Sequence, residues 1–422
     1  MERYSLLRNS CSLLFFVLFL IPTVNGQENQ KYTEYKGEVV DNETQIPLES
    51  VNIAVKNTNI NTVTNSEGKF LLKIPSDELN NVVVFSNLGY DLKLISVTAL
   101  SELDSKIFLT AKITDLSEIN LSVFGNAENM VRSVFAKKEE NNLNKEITMT
   151  AFYRETIKKR NRNVSLAEAV VTLYKAPYNS SKDDRVELKK ARKSTDYRRL
   201  DTVAFKLQGG PFSTLYLDVM KYPEYIFTQD SIGEYIYRFK DPTTVKGNPV
   251  FVISFTQPNN KRYHYEGLLF VDTETLALTR AEYTLYIGNR EEAAEIFVQK
   301  KPKDIDVFPT EANYVVDYRE KEGKWYYGYA NAELTFKVDQ KGKLFNSTYQ
   351  LSTEMAVTDW QINTSDSKLR YRDRVKPSVI MSDEVLGFSD PDFWGAYNVI
   401  EPEKSIESAI NKIQRQLERK RS

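Results

Sequence analysis

The sequence predicts a mainly β protein: a small β-sandwich, then a larger antiparallel sheet module of α+β character, closed by a C-terminal helix. Three observations carry this reading. Short alternating apolar runs recur at roughly ten-residue spacing between Lys36 and Ala111. Longer alternating runs then fill the chain from Thr148 to Gln361. Aromatic residues make up 12% of the 422 residues and gather in those longer runs, where they suit a pleated, half-buried surface.

The N-terminus comes first. Arg3 and Arg8 precede the unbroken apolar run Leu13–Ile21, and Pro22 leads to Val24-Asn25-Gly26. A positive flank, a short apolar stretch and a compact cleavage position describe a secretory signal peptide over residues 1–26. The run falls short of the roughly 20 residues a membrane-spanning helix needs, and no second long apolar stretch follows. The mature chain is therefore expected to have no transmembrane helix. Cys11, the one cysteine, leaves with the signal, which removes disulfide, thiolate and cysteine–metal chemistry. With 57 Lys+Arg against 58 Asp+Glu the formal charge is -1, and removing Glu2, Arg3 and Arg8 takes it to -2. No bulk positive charge is available for nucleic acid.

Residues 27–112 form the sandwich. Val51, Ile53 and Val55 alternate with polar neighbours, as do Phe70, Leu72 and Ile74, and Val82–Phe85 is a continuous apolar run. Asn65-Ser66-Glu67-Gly68 is a turn whose glycine can take a positive φ. The stretch Gly37–Ile53, with Asp41, Pro47, Leu48 and Asn52, then Thr64–Phe70 and Phe85–Tyr90, resembles the carboxypeptidase regulatory-like domain common in Bacteroidetes envelope proteins. That resemblance implies a transthyretin-like, seven-stranded sandwich with no catalytic residues of its own. The family usually has Asp where this chain has Asn65, which removes one cation ligand. Leu116–Leu121 looks like the short stretch that follows such a domain in TonB-dependent receptors. About 300 residues remain after it, too few for a plug and its large barrel, so a receptor is not expected.

Residues 113–145 read as a linker and helix. Met130 with Val134, and Val131 with Phe135, make an i,i+4 stripe within a helix over Asn126–Asn141. Residues 146–400 form the β-rich module. Thr148–Glu155 and Ser165–Tyr174 pair across the basic loop Lys158–Arg162, Pro211–Lys221 is a short helix, and Tyr225–Gln361 is an antiparallel meander. In its clearest hairpin Tyr263, Tyr265, Leu269 and Val271 share one face, and His264, Glu266, Leu268 and Phe270 the other. Ala151–Glu155, Leu166–Val170, Gly267–Ala277 and Phe393–Ile400 are similar to phrases of a Bacteroidetes envelope family in which the sandwich precedes an uncharacterised β-rich module. The strand–turn–strand around Asp272 also looks like the curved half-barrel of periplasmic lipoprotein carriers. Residues 401–422 are an amphipathic helix striped by Ile406, Ile410, Ile413 and Leu417.

Chemistry is sparse. His264 is the only histidine, so neither H-E-x-x-H nor the two-His zinc site of a metallocarboxypeptidase can form within the chain. No G-x-S-x-G elbow, P-loop or dinucleotide motif is present. Ser365-Asp366-Ser367-Lys368 has nucleophile–base spacing without its companion motifs, and reads as a polar loop. Glu155 and Glu168 become neighbours if their strands pair; salt bridges to Arg154 or nearby lysines account for them without catalysis. The basic clusters Lys189–Arg199 and Lys368–Lys376 face either an anionic headgroup or glycan, or only solvent. No catalytic, cofactor or metal residue is therefore assigned, and no cofactor is expected. The expectation is a non-catalytic secreted envelope protein, periplasmic or outer-membrane-associated. It would bind a lipid, glycan or outer-membrane protein partner on a curved sheet face. The alternatives are a carboxylate-dependent glycan hydrolase and a purely structural interaction module.

Overall fold

The structure is a computed structural model. It describes residues 31–102, 106–112, 126–160, 162–195, 209–227, 230–258, 264–287, 293–294, 305–340, 346–362, 369–381 and 393–408. The signal peptide, Leu116–Leu121, Ser365–Lys368 and the last turns of the C-terminal helix lie outside these residues.

The sandwich has the seven strands the resemblance implied. They are β1 (Tyr32–Asp41), β2 (Asn52–Val55), β3 (Asn61–Val63), β4 (Lys69–Pro75), β5 (Val82–Ser86), β6 (Lys93–Ser96) and β7 (Lys106–Leu109), with helix α1 (Val97–Glu102) between β6 and β7. One sheet runs β4-β1-β7 and the other β3-β2-β5-β6. Alternation places Val39, Ile53, Phe70, Leu72, Val83, Phe85 and Ile107 between them, all at 2% exposure or less. Phe70 meets Phe85 edge-on at 5.7 Å. Gly68 has φ +70, and a Cβ there would lie 2.5 Å from the Val39 carbonyl, so the turn admits only glycine.

The remaining strands form one ten-stranded antiparallel sheet. In chain order they are β8 (Ile147–Lys159), β9 (Arg162–Lys175), β10 (Arg185–Thr195), β11 (Ile236–Val245), β12 (Asn248–Thr256), β13 (His264–Asp272), β14 (Leu278–Tyr286), β15 (Ile305–Lys321), β16 (Lys324–Gln340) and β17 (Ser347–Ile362). The spatial order β10-β9-β8-β17-β16-β15-β14-β13-β12-β11 joins two hairpin runs through β8 and β17. The meander β11–β17 is continuous, and its last strand pairs with β8, the first strand of the sheet in chain order, across about 200 residues (Arg154 opposite Glu354).

Helices cover one face, here called inner. The helix expected over Asn126–Asn141 divides into α2 (Ala127–Ala136) and α3 (Lys138–Asn141). Asn126 caps α2, its Oδ1 accepting the Asn129 N–H at 2.8 Å, and the apolar stripe of Met130, Val131 and Val134 is buried. Only Phe212–Leu215, α4, is α-helical within the segment expected as a helix over Pro211–Lys221. The supposed basic loop Lys158–Arg162 is mostly strand. β8 and β9 run almost to the turn, where Arg160 takes φ 47. No described helix is long and apolar enough to cross a membrane.

Candidate functional site

Each face of the large sheet holds a buried charge cluster, and the sandwich docks over the second. On the inner face Met149, Ala151, Tyr153, Leu269, Val271 and Val316 pack under α2, α4 and residues 217–235, with Phe212, Leu215, Val219, Phe227 and Ile232 all buried there. Within this layer Lys175 is 1% exposed and its ammonium lies 2.6 Å from Asp184 and 2.7 Å from Asp218. Asp218 also accepts the hydroxyls of Tyr178 and Tyr318, both at 2.9 Å. Burial works against the Lys175 charge, but the two aspartates outweigh it and hold its pKa above the ordinary value. Rings of Tyr178, Tyr222 and Tyr327 surround the ammonium at 5.2–5.7 Å. The cluster is saturated with its own partners, so its geometry is that of a structural pin.

On the outer face Glu168, fully buried, binds two guanidiniums. Arg154 Nη2 approaches Oε1 at 2.7 Å and Arg192 Nε approaches Oε2 at 2.6 Å. Burial raises the Glu168 pKa, but the two arginines overcome it and hold the carboxyl below its ordinary range. Arg154 also meets Glu354 at 3.2 Å and donates to the Ile400 carbonyl at 2.6 Å. Residues 393–408 lie across this cluster as a strap. Trp394, Val399 and Ile400 pack with Val63 and Leu71 of the sandwich and Phe152, Val170 and Tyr329 of the sheet. Arg192 stacks on the Trp394 ring at 4.8 Å.

The strap is where the sandwich turn acquires a second purpose. Asn65 Oδ1 accepts the N–H groups of Glu67 and Lys69, each at 2.9 Å, while its Nδ2 donates to the Glu401 carbonyl at 2.9 Å. A carboxylate could make the first two bonds and not the third, which explains amide in place of acid at this position. Thr62 Oγ1 donates to Val399 O, and the Lys73 N–H donates to Asn398 Oδ1 at 2.7 Å.

The residues singled out in the sequence are dispersed. Register sets Arg154 opposite Glu168 and Glu155 opposite Ala167, so the two glutamates lie on opposite faces and share no cleft. Glu155 lies on the inner face and accepts the Tyr153 hydroxyl at 3.1 Å, and burial pushes its pKa up to about 7. His264 begins β13 opposite Tyr286. Of the first basic cluster, residues 196–199 lie outside the described residues; Lys189 and Lys190 are exposed, Lys189 meeting Glu187 at 2.8 Å and Lys190 donating to Phe393 O at 3.0 Å, while Arg192 is buried on Glu168. In the second, Arg370 meets Asp373 at 3.1 Å and Arg374 donates to Leu369 O. Sequence reading missed Lys175, Asp184 and Asp218; Lys175 and Asp218 stand out only as charges in otherwise apolar stretches, and Asp184, in the polar run Asn179–Arg185, carries no such signal. Among the described residues no three His, Cys, Asp or Glu side chains group as metal ligands.

Concavities border the described residues, three among them at the large sheet. One of about 420 Å³ lies on the outer face of β11–β14, bordered by Ile236, Arg238, Lys240, Glu266 and Leu268. A second of about 190 Å³, between Lys73, Asp359 and Tyr397, and a third of about 50 Å³, beside Arg319, lie where the sandwich meets the sheet.

Comparison with known proteins agrees with the sandwich. Residues 35–121 match the family model of the CarboxypepD_reg-like domain. No curated protein matches the chain by sequence. Among solved structures, a domain described as an outer membrane lipoprotein-sorting protein from Vibrio parahaemolyticus is 11% identical, with 58% of this chain and 94% of that one covered and a TM-score of 0.24. A LolA superfamily protein from Nitrosomonas europaea is 10% identical over 59% and 98% of the two chains, with a TM-score of 0.21. The MucA/MucB complex of Pseudomonas aeruginosa is 12% identical over 57% and 99%, with a TM-score of 0.17. At scores this low none of these likenesses carries a function to the present chain.

Proposed function

We propose that the protein is a non-catalytic adaptor of the Gram-negative envelope that binds a protein partner, its sandwich and large sheet acting as one block. The observation that carries this reading is the occupancy of both sheet faces. Phe212, Leu215, Val219, Phe227 and Ile232 fill the inner face that a lipid carrier would leave open. The strap and sandwich cover the outer face over β8, β9, β16 and β17. Leu88 of the sandwich covers Val250, Val252 and Phe270 at one end of the outer side of β11–β13, and the other end is exposed among the described residues, with Ile236 48% exposed beside Arg238 and Lys240. A mixed apolar and charged surface of this kind suits a protein rather than an acyl chain. The signal-like N-terminus and the CarboxypepD_reg-like match support an envelope location, with secretion across the inner membrane.

Native mass spectrometry of the protein extracted from its own envelope tests the reading, together with a photocrosslinker at Ile236. The expected result is a mature chain free of stoichiometric lipid and a crosslink from Ile236 to a polypeptide. A bound lipid at unit stoichiometry would overturn it in favour of a carrier. The hydrolase alternative has less support, because Glu155 and Glu168 are separated by the sheet.

A further inference from the structure

The concavity of about 50 Å³ at the sandwich–sheet junction has unusual walls. It is lined by Asn52 and Ser86 of the sandwich and by Lys246, Arg280, Asp317 and Arg319 of the sheet. Arg280 is shared by two carboxylates, Asp317 through contacts of 2.7 and 2.8 Å and Glu282 at 2.6 Å. Asp317 acts through space on both Arg319 and Lys246, and Glu320 on Lys246, but among the described residues neither cation has a carboxylate in direct contact. Arg319 is 6% exposed, and its Nη1 donates to Asn61 Oδ1 and to the Val357 carbonyl, both uncharged acceptors. Its Nη2 is buried with no hydrogen-bond partner. Lys246, partly buried, makes no ion pair among the described residues; its ammonium lies over the Trp325 ring at 5.8 Å.

Two neighbouring cations without a carboxylate in contact, in a partly desolvated cleft, favour an anion that touches both. Burial and then the Arg319 charge push Lys246 down to about 8 against the opposing pull of Glu320 and Asp317, and burial depresses Arg319 although Asp317 opposes it. The volume suits a few waters or one small anion. Water would satisfy the orphaned Nη2 but would leave both cations without an anion in direct contact.

Local geometry adds an independent indication. Lys246 and Gly247 have φ values of 50 and 78 and join β11 to β12 as a two-residue hairpin loop. Two positive φ values in succession favour Asn-Gly, so lysine in the first position works against the turn's own preference. A positive charge at the rim of the cleft that Lys246 lines is a reason to keep it.

We infer that Arg319 and Lys246 form a binding site for a small oxyanion of phosphate or carboxylate type at the junction between sandwich and sheet. The anion would sit on Arg319 Nη2 and the Lys246 ammonium and so tie the two domains together. Lys246→Asn is the decisive variant, since it removes the charge while installing the residue the turn prefers. The thermal midpoint of the full chain is followed at fixed ionic strength as phosphate or acetate replaces an inert anion. The expected result is a saturable rise for the natural chain, with apparent affinity at least tenfold weaker in Lys246→Asn. Arg319→Gln, checked for native circular dichroism, should lose the response as well. An equal rise in the natural chain and Lys246→Asn, or no rise in the natural chain, would refute the site.

Discussion

The two buried charge clusters lie on opposite faces of one sheet and do different work. Lys175, Asp184 and Asp218 belong to the sheet module alone, and tyrosines close the cluster off from everything else. Arg154, Glu168, Arg192 and Glu354 face the other way, and their remaining valence is taken up by the Ile400 carbonyl of the strap. The first cluster pins a helix-and-loop layer to the sheet. The second pins the strap, and through it the sandwich. Buried ion pairs contribute little net stability when complete, but losing one partner strands the others. Each cluster should therefore fail in its own region.

The largest effect is expected at the inner cluster. Lys175→Met leaves two aspartates facing each other in an apolar layer and should lower unfolding free energy by about 3–5 kcal/mol, read by urea denaturation of tyrosine and tryptophan fluorescence. A loss below about 1 kcal/mol would mean the cluster is open to water. At the outer cluster Glu168→Gln should cost about 2–3 kcal/mol and, unlike Lys175→Met, should speed protease cleavage within residues 393–408. Equal cleavage in both variants would dissolve the distinction between the faces.

Glu155 offers a pH test of the same contrast, since among the described residues no cation pairs with it. Its folded pKa, about 7, exceeds the ordinary value of 4.5, so the folded state holds the proton more tightly. Stability from this group is full below the unfolded value and is lost as pH rises through the window between the two. Glu155→Gln should flatten that fall between pH 5 and 8, removing about 2–3 kcal/mol of pH dependence; an unchanged slope would assign it to other groups. The smallest effect is expected at the turn. Asn65→Asp breaks one donor bond and sets a carboxylate against the Glu401 carbonyl, costing about 1–2 kcal/mol, with cleavage of the strap again the local readout.

Much of this was legible in the chain. Alternation at Val51–Val55 and Phe70–Ile74 placed the sandwich core, and the face assignment of the Asp272 hairpin holds from Tyr265 on, Tyr263 and the His264 side chain lying outside the described residues: Leu269 and Val271 enter the inner core while Phe270 packs with Leu88 of the sandwich. Side-chain period in a strand is a local property, so sequence suffices for it. The helix over Asn126–Asn141 was found but not its break, because helix ends depend on where the apolar stripe finds a partner. What the tertiary structure alone decided is which charges meet. Lys175 and Asp218 are 43 positions apart in sequence, and Arg154 reaches Glu354 only because β17 returns to pair with β8. The same register that unites Arg154 with Glu168 puts Glu155 on the other face, dissolving a carboxylate pair that proximity in sequence had suggested. Which residues alternate is written along one strand; which of them face each other depends on strand order and register, set by the packing of the whole sheet.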